Sequence, residues 1–175
     1  MIASAIARRL ALASLALLLP SAALAQPAAP PAPNDALPLR LAVQTEAALG
    51  VATGPFYNQL VGARLDASFS PRVSLGGYLG YANLKGKDAR LHSALTYAQL
   101  EVLFGEPGAT VRFPLRFASG YLFGNGPVVR AAAGLDFALS PKVDLVTELL
   151  TPMVWLTNNQ TLLSLNLSLE VQVRF

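Results

Sequence analysis

LSLNLSLEVQVRF, residues 163–175, is the stretch that decides how this chain is read. Leu163, Leu165, Leu167, Leu169, Val171, Val173 and Phe175 share one parity; Ser164, Asn166, Ser168, Glu170, Gln172 and Arg174 share the other. Successive side chains of a β-strand point to opposite faces, so the segment predicts a strand with one apolar and one polar side. A helix would spread both classes around its whole circumference.

The same period of two recurs upstream. Leu39, Leu41, Val43, Thr45, Ala47 and Leu49 oppose Arg40, Gln44 and Glu46. Val61 to Phe69 opposes Arg64, Asp66 and Ser68, and Val73 to Tyr81 opposes Ser74, Gly76, Tyr78 and Gly80. Residues 91–104 carry the weakest version, with Ala94, Ala98, Leu100, Val102 and Phe104 against Tyr97, Gln99 and Glu101. Val111 to Phe117 opposes Arg112 and Arg116, Val129 to Leu139 opposes Arg130, Gly134 and Asp136, and Val143 to Leu149 opposes Asp144 and Glu148. Eight strands are therefore expected. Ser70-Pro71-Arg72-Val73 and Ser140-Pro141-Lys142-Val143 are near-copies with the composition of tight turns, and Gly105-Glu106-Pro107-Gly108 is a third. They join strands two to three, four to five and six to seven, which puts them at one end of the sheet. The segments around 50–56, 85–90, 124–126 and 157–160 fall at the other end.

Composition narrows the class. The 175 residues are 53% hydrophobic and 13% charged, with no cysteine and one histidine. Disulfides and thiolate metal sites are excluded, a multi-histidine centre within one chain is too, and no cofactor is expected. Residues 1–25 have the layout of a secretory signal: Arg8-Arg9, an apolar run from Leu10 to Leu19, and a small-x-small end at Ala23 and Ala25. Without that leader, eleven basic residues face ten acidic ones. The basic balance largely disappears, and nucleic acid is not an expected partner. Residues 26–38, QPAAPPAPNDALP, form an extended proline-rich tether in this reading. The remaining 39–175 is one domain. Its longest uncharged stretch, Leu149 to Leu169, is broken by Pro152 and Asn158-Asn159-Gln160 and reads as strand, turn, strand.

Alternation alone leaves two barrels open: a soluble lipocalin-like one with its apolar face inside, and a transmembrane one with that face in lipid. Three features favour lipid. Strand charges of both signs gather on the polar parity: Arg40, Arg64, Arg112, Arg116 and Arg130 with Glu46, Asp66, Glu101, Asp136, Asp144, Glu148 and Glu170. A charge facing hydrocarbon at mid-depth costs about 2–4 kcal/mol. Small residues such as Gly76, Gly80, Ala132, Gly134 and Ala138 share that parity, which suits an eight-stranded lumen just wide enough for side chains. Aromatic residues form two bands. Phe69, Phe104, Phe113, Phe137 and Phe175 lie near the turns, and Phe56, Tyr57, Tyr81, Tyr121, Phe123 and Trp155 near the opposite end. The expected fold is all-β, a closed up-and-down antiparallel eight-stranded transmembrane β-barrel with a charge-paired lumen.

With its leader, alternation, Ser-Pro turns and final strand ending in Phe175, the chain resembles the small eight-stranded outer-membrane barrels of the OmpA/OmpX type over residues 39–175. The resemblance implies location in the outer membrane of a Gram-negative bacterium, with outer-membrane lipids and lipopolysaccharide around the barrel. It also implies that Phe175, with Val173, Val171 and Leu169, is the signal read by the barrel assembly machinery. No peptidoglycan-binding domain follows, so an anchoring role is not expected.

The scaffold hosts many functions. A non-enzymatic envelope barrel without a continuous aqueous channel is the leading expectation. A lipid-modifying barrel enzyme is the alternative, but His92 and Ser93 are adjacent and so point to opposite faces, whereas a nucleophile and its base must meet within about 3 Å. An adhesin would need long loops. Here the far connections are short, and Lys85, Lys87, Asp88 and Arg90 form the charged one, read as a solvated loop within reach of lipopolysaccharide phosphates.

Overall fold

A computed structural model describes residues 38–51, 57–85, 90–106, 108–157 and 161–175. The expected leader with its cleavage residues Ala23 and Ala25, the tether up to residue 37, and Phe56 lie outside these residues. The rest is eight strands: β1 (Leu39–Gly50), β2 (Tyr57–Ser68), β3 (Val73–Lys85), β4 (Arg90–Phe104), β5 (Val111–Leu122), β6 (Gly126–Ala138), β7 (Val143–Leu156) and β8 (Thr161–Arg174). Each pairs antiparallel with the next, and β8 pairs with β1 to close the barrel. The backbone N–H of Phe175 donates to Leu39 O at 3.0 Å and completes that seam. Closure leaves no free sheet edge, a necessity in hydrocarbon, where an unpaired backbone group has no water to bond.

The strands are 12 to 15 residues long. At about 3.3 Å per residue and a tilt of about 40°, the shortest rises about 30 Å, enough to cross a hydrocarbon core. The two Ser-Pro turns are built alike. Ser70 Oγ accepts from Arg72 N and Val73 N at 3.2 and 3.0 Å, and Ser140 Oγ accepts from Lys142 N and Val143 N at 3.3 and 3.1 Å. In both turns the serine hydroxyl accepts from two backbone N–H groups, the second of which also reaches the serine carbonyl at 3.4 Å.

Several strands run further toward the loop end than alternation predicts. β2 starts at Tyr57, not Val61; β3 continues to Lys85; β5 continues to Leu122; β6 starts at Gly126; and β7 continues to Leu156. The contrast fails there for a physical reason. Inward positions at that end hold Leu60, Leu84, Leu95, Leu122, Val128 and Met153; on β5–β7 both faces are then apolar, and on β2–β4 the polar residues Gln59, Asn83, Lys85, Arg90 and His92 turn outward, so the apolar-out alternation is lost on all of them.

β7 carries the main irregularity. Its register shifts against both neighbours around Leu149 and Leu150, which are both exposed. One extra residue inverts the parity of everything beyond it. Asp144, Val146 and Glu148 face inward before the bulge; Thr151, Met153 and Trp155 do so after it. Trp155 therefore does not join the outer aromatic band, where unbroken parity would place it. It is 1% exposed, inside the barrel, with Nε1 donating to Ser164 Oγ at 3.0 Å. Pro114 of β5, which has no N–H, lies in a two-residue gap in the β5–β6 pairing, close to the Ala133/Gly134 shift.

Candidate functional site in the barrel lumen

The polarity of the wall is that of a molecule turned inside out. Val43 is 60% exposed and Leu79 65%, with Leu65, Leu167 and Leu169 close behind, whereas Arg64, Arg116 and Arg130 are all but sealed from solvent. On the outside, Phe69, Phe104, Phe113 and Phe175 are exposed at the turn end and Phe137 is half-buried; Tyr81, Tyr121 and Phe123 are exposed at the loop end.

Inside, the lumen has two parts. The first is an ionic network across the middle and the turn end, with Arg112, Asp136, Asp144 and Arg174 forming a separate cluster beside the main one. Arg116 on β5 sits at its centre, with Nε 2.7 Å from Glu101, Nη1 2.8 Å from Glu148 and Nη2 3.1 Å from Glu170. Arg64 on β2 makes a two-pronged contact with Glu170 at 2.8 and 2.9 Å and holds Asp66 at 2.8 Å. Arg130 on β6 bonds Glu148 and lies 3.2 Å from Glu46. Arg40 reaches Glu101 at 2.7 Å, and Arg112 bridges Asp136 and Asp144 at 2.9 and 3.1 Å. Every charge that parity assigned to the lumen takes part, and Arg174 joins them by donating to Asp144 at 2.7 Å. Buried charges are costly unless paired and hydrogen-bonded, and neutral groups supply some of the further bonds, while Nε of Arg40, Arg112 and Arg130 and Oδ1 of Asp136 are left without one. Ser168 and Asn166 donate to Glu148 and Glu46, and Gln172 to Glu170.

The second part is an apolar and aromatic plug at the loop end, which the sequence reading missed. Tyr78 and Tyr97 stack with ring centroids 4.3 Å apart, and the Arg130 guanidinium lies 5.7 Å from the centre of the Tyr97 ring. Leu60, Leu84, Leu95, Leu122, Val128, Met153 and Trp155 fill the space beyond. Glycines make room for the rings: a Cβ on Gly62 or Gly80 would overlap Tyr78. The plug joins the charged part through Tyr97 Oη, which donates to Gln44 Oε1 at 3.3 Å, and Gln44 in turn donates to Glu46 at 3.1 Å. The Tyr78–Tyr97 pair was visible as a signal, since both lie on the polar parity. The aliphatic remainder was not, because it erases the alternation that would reveal it.

His92 and Ser93 part as their adjacency requires. His92 is exposed on the outer face, stacked on Tyr81 and hydrogen-bonded to its hydroxyl through Nδ1. Ser93 Oγ donates to Phe123 O at 2.6 Å. Among the described residues no cluster of histidine and carboxylate groups suits a metal ion.

These features define a class, the eight-stranded transmembrane β-barrel with a filled interior. No protein-family model matches the chain, and no curated protein matches it in sequence. Solved structures do match in fold. Neisserial surface protein A superposes with a TM-score of 0.53 at 18% identity, over 79% of this chain and 97% of that one. The N-terminal β-barrel domain of Pseudomonas aeruginosa OprF gives 0.54 at 15%, over 78% and 97%. Ail, the attachment invasion locus protein of Yersinia pestis, gives 0.51 at 11%, over 81% and 100%.

Proposed function

We propose that this protein is a non-enzymatic integral barrel of a Gram-negative outer membrane, with an envelope role and no general pore. The observation that carries the reading is the filled lumen: six arginines and seven carboxylates bonded across it, with the aromatic plug above them. An ion crossing this interior would have to displace paired charges and then enter an apolar segment. Eight strands leave room for side chains and little more, whereas water-filled porins use sixteen or more. Strand length and the exposed apolar wall support bilayer insertion, and closed barrels of this polarity belong to outer membranes.

The surrounding partners in this reading are outer-membrane lipids and lipopolysaccharide, with the barrel assembly machinery acting during biogenesis through Phe175, Val173, Val171 and Leu169. Val173, Val171 and Leu169 line the outer face of β8; Val171, Leu169 and Phe175 are exposed and Val173 is half-buried. The separation of His92 from Ser93 by the barrel wall speaks against a lipid-cleaving dyad. Purified barrel in planar bilayers is expected to give no large, steady conductance, and a stable nanosiemens-class pore would overturn the plugged lumen. Membrane fractionation with a carbonate wash, combined with heat-modifiable gel migration, tests location and closure together.

A further inference from the structure

We infer that the outer wall over β8, β1 and β2 holds a seat for one acyl chain of a bilayer lipid, and that the chain it fits carries a hydroxyl near its carbonyl. The inference rests on the outer-membrane reading above and names one lipid contact within it.

The seat is a depression of about 260 Å³ on the face that meets hydrocarbon. It lies over the seam where the last strand closes on the first. Its floor is β1, where Thr45 and Ala47 are the outward side chains; Leu167 and Leu169 of β8 stand along one side and Gln59 of β2 along the other. Register puts Thr45 beside Leu169, and Ala47 between Leu167 and Gln59. The outward positions before and after them on β1 are Val43 and Leu49, both exposed. The trough is therefore the stretch of β1 where large outward side chains give way to small ones between leucines that do not.

Its lining is not purely apolar. Two other threonines of the outer wall spend their hydroxyls on a neighbouring strand: Thr96 Oγ1 donates to Tyr78 O at 2.9 Å and Thr147 Oγ1 to Ser168 O at 3.2 Å. Thr45 Oγ1 and the Gln59 amide bond no described group, and both residues are exposed in the trough. Against hydrocarbon such groups stay unsatisfied unless the molecule in the trough supplies their partners.

A plain hydrocarbon chain would fill the space and bond neither group. An acyl chain starts at an ester or amide carbonyl, an acceptor that suits the N–H groups of Gln59. Gln59 is close to the loop-side end of β2, the depth at which lipid carbonyls border the hydrocarbon. Thr45 lies one outward position deeper on β1 than Ala47, the residue opposite Gln59. A hydroxyl on the chain can donate to Thr45 Oγ1 or accept from it, as the threonine hydroxyl can in return. One molecule then uses the carbonyl contact, the hydroxyl contact and the leucine wall together.

The test uses the full-length protein folded in a neutral detergent, with retained lipid read by native mass spectrometry. The probes are N-(β-hydroxytetradecanoyl)glucosamine and N-tetradecanoylglucosamine, both uncharged and different by a single hydroxyl. The hydroxylated probe is expected to be retained about fivefold better, the ratio one added hydrogen bond gives. Thr45→Val is expected to abolish that ratio and Thr45→Ser to keep it. Gln59→Leu removes the carbonyl contact and Ala47→Trp fills the trough, so each is expected to weaken both probes. Heat-modifiable migration checks that every variant is folded. Equal retention of the two probes by the wild type, a ratio that survives Thr45→Val, or an unaffected Gln59→Leu or Ala47→Trp would overturn the inference. A wild-type dimer that Ala47→Trp dissolves would also overturn it, by giving the trough to a second copy of the chain. A protein that washes off membranes with carbonate would instead overturn the outer-membrane reading on which the inference rests.

Discussion

Arg116 shows what a single residue does in this lumen. Its three nitrogens face three carboxylates from β4, β7 and β8, so one side chain on β5 ties its neighbour β4 to two strands it does not adjoin in the wall. Arg116→Met keeps much of the volume and removes the charge, leaving Glu101, Glu148 and Glu170 short of a partner while still buried. Breaking a buried ionic cluster from one side costs about 3–5 kcal/mol, against about 1 kcal/mol or less for a solvated pair. Urea unfolding of the reconstituted barrel, followed by gel migration, is expected to show the larger loss. A loss in the smaller range would mean that lumen water already screens these charges.

The bulge in β7 determines where the chain's one tryptophan points. Because Leu149 and Leu150 together occupy the outer face, Trp155 turns inward and hydrogen-bonds Ser164. Brominated lipids quench indoles that touch acyl chains, so wild-type fluorescence is expected to be almost unaffected by them. Deleting Leu150 removes the extra residue and leaves strict alternation from Glu148 through Thr151 and Met153 to Trp155, so the tryptophan is expected to stay inside and unquenched, whereas without a bulge the same deletion would reverse its direction. Strong quenching of the wild type would place Trp155 back in the outer band and refute the bulge. The single tryptophan makes the signal unambiguous.

For the whole molecule, closure and assembly are separable. The Phe175 N–H reaches Leu39 O at the seam, yet its side chain is 73% exposed and makes little packing contact. Phe175→Ala keeps the backbone bond. It is expected to fold in detergent with wild-type heat-modifiable migration, while the folded fraction recovered from cell membranes falls severalfold. Equal recovery from cells would remove the aromatic ring from the assembly signal. Equal failure in detergent would make it a stability element instead.

Legibility divides along the same lines. The final strand, Leu163–Phe175, displays its two faces without any tertiary information, since each side chain's direction follows from its neighbour's. The same local rule sorts Arg64, Glu101, Arg116, Glu148 and Glu170 to the polar side and leaves Leu163, Leu165, Leu167 and Leu169 on the opposite one. Eight strands, their antiparallel order and the side of each charge were therefore in the sequence by itself. Tertiary structure alone decided which charges meet, because Arg64 and Glu170 lie 106 residues apart and touch only through the register of β1, β2 and β8 around the closed wall. It also decided the aliphatic plug, where inward leucines blur or reverse the alternation, and the direction of Trp155, where one inserted residue inverts it. Parity is a property of neighbours along the chain. Pairing across a lumen is a property of the ring.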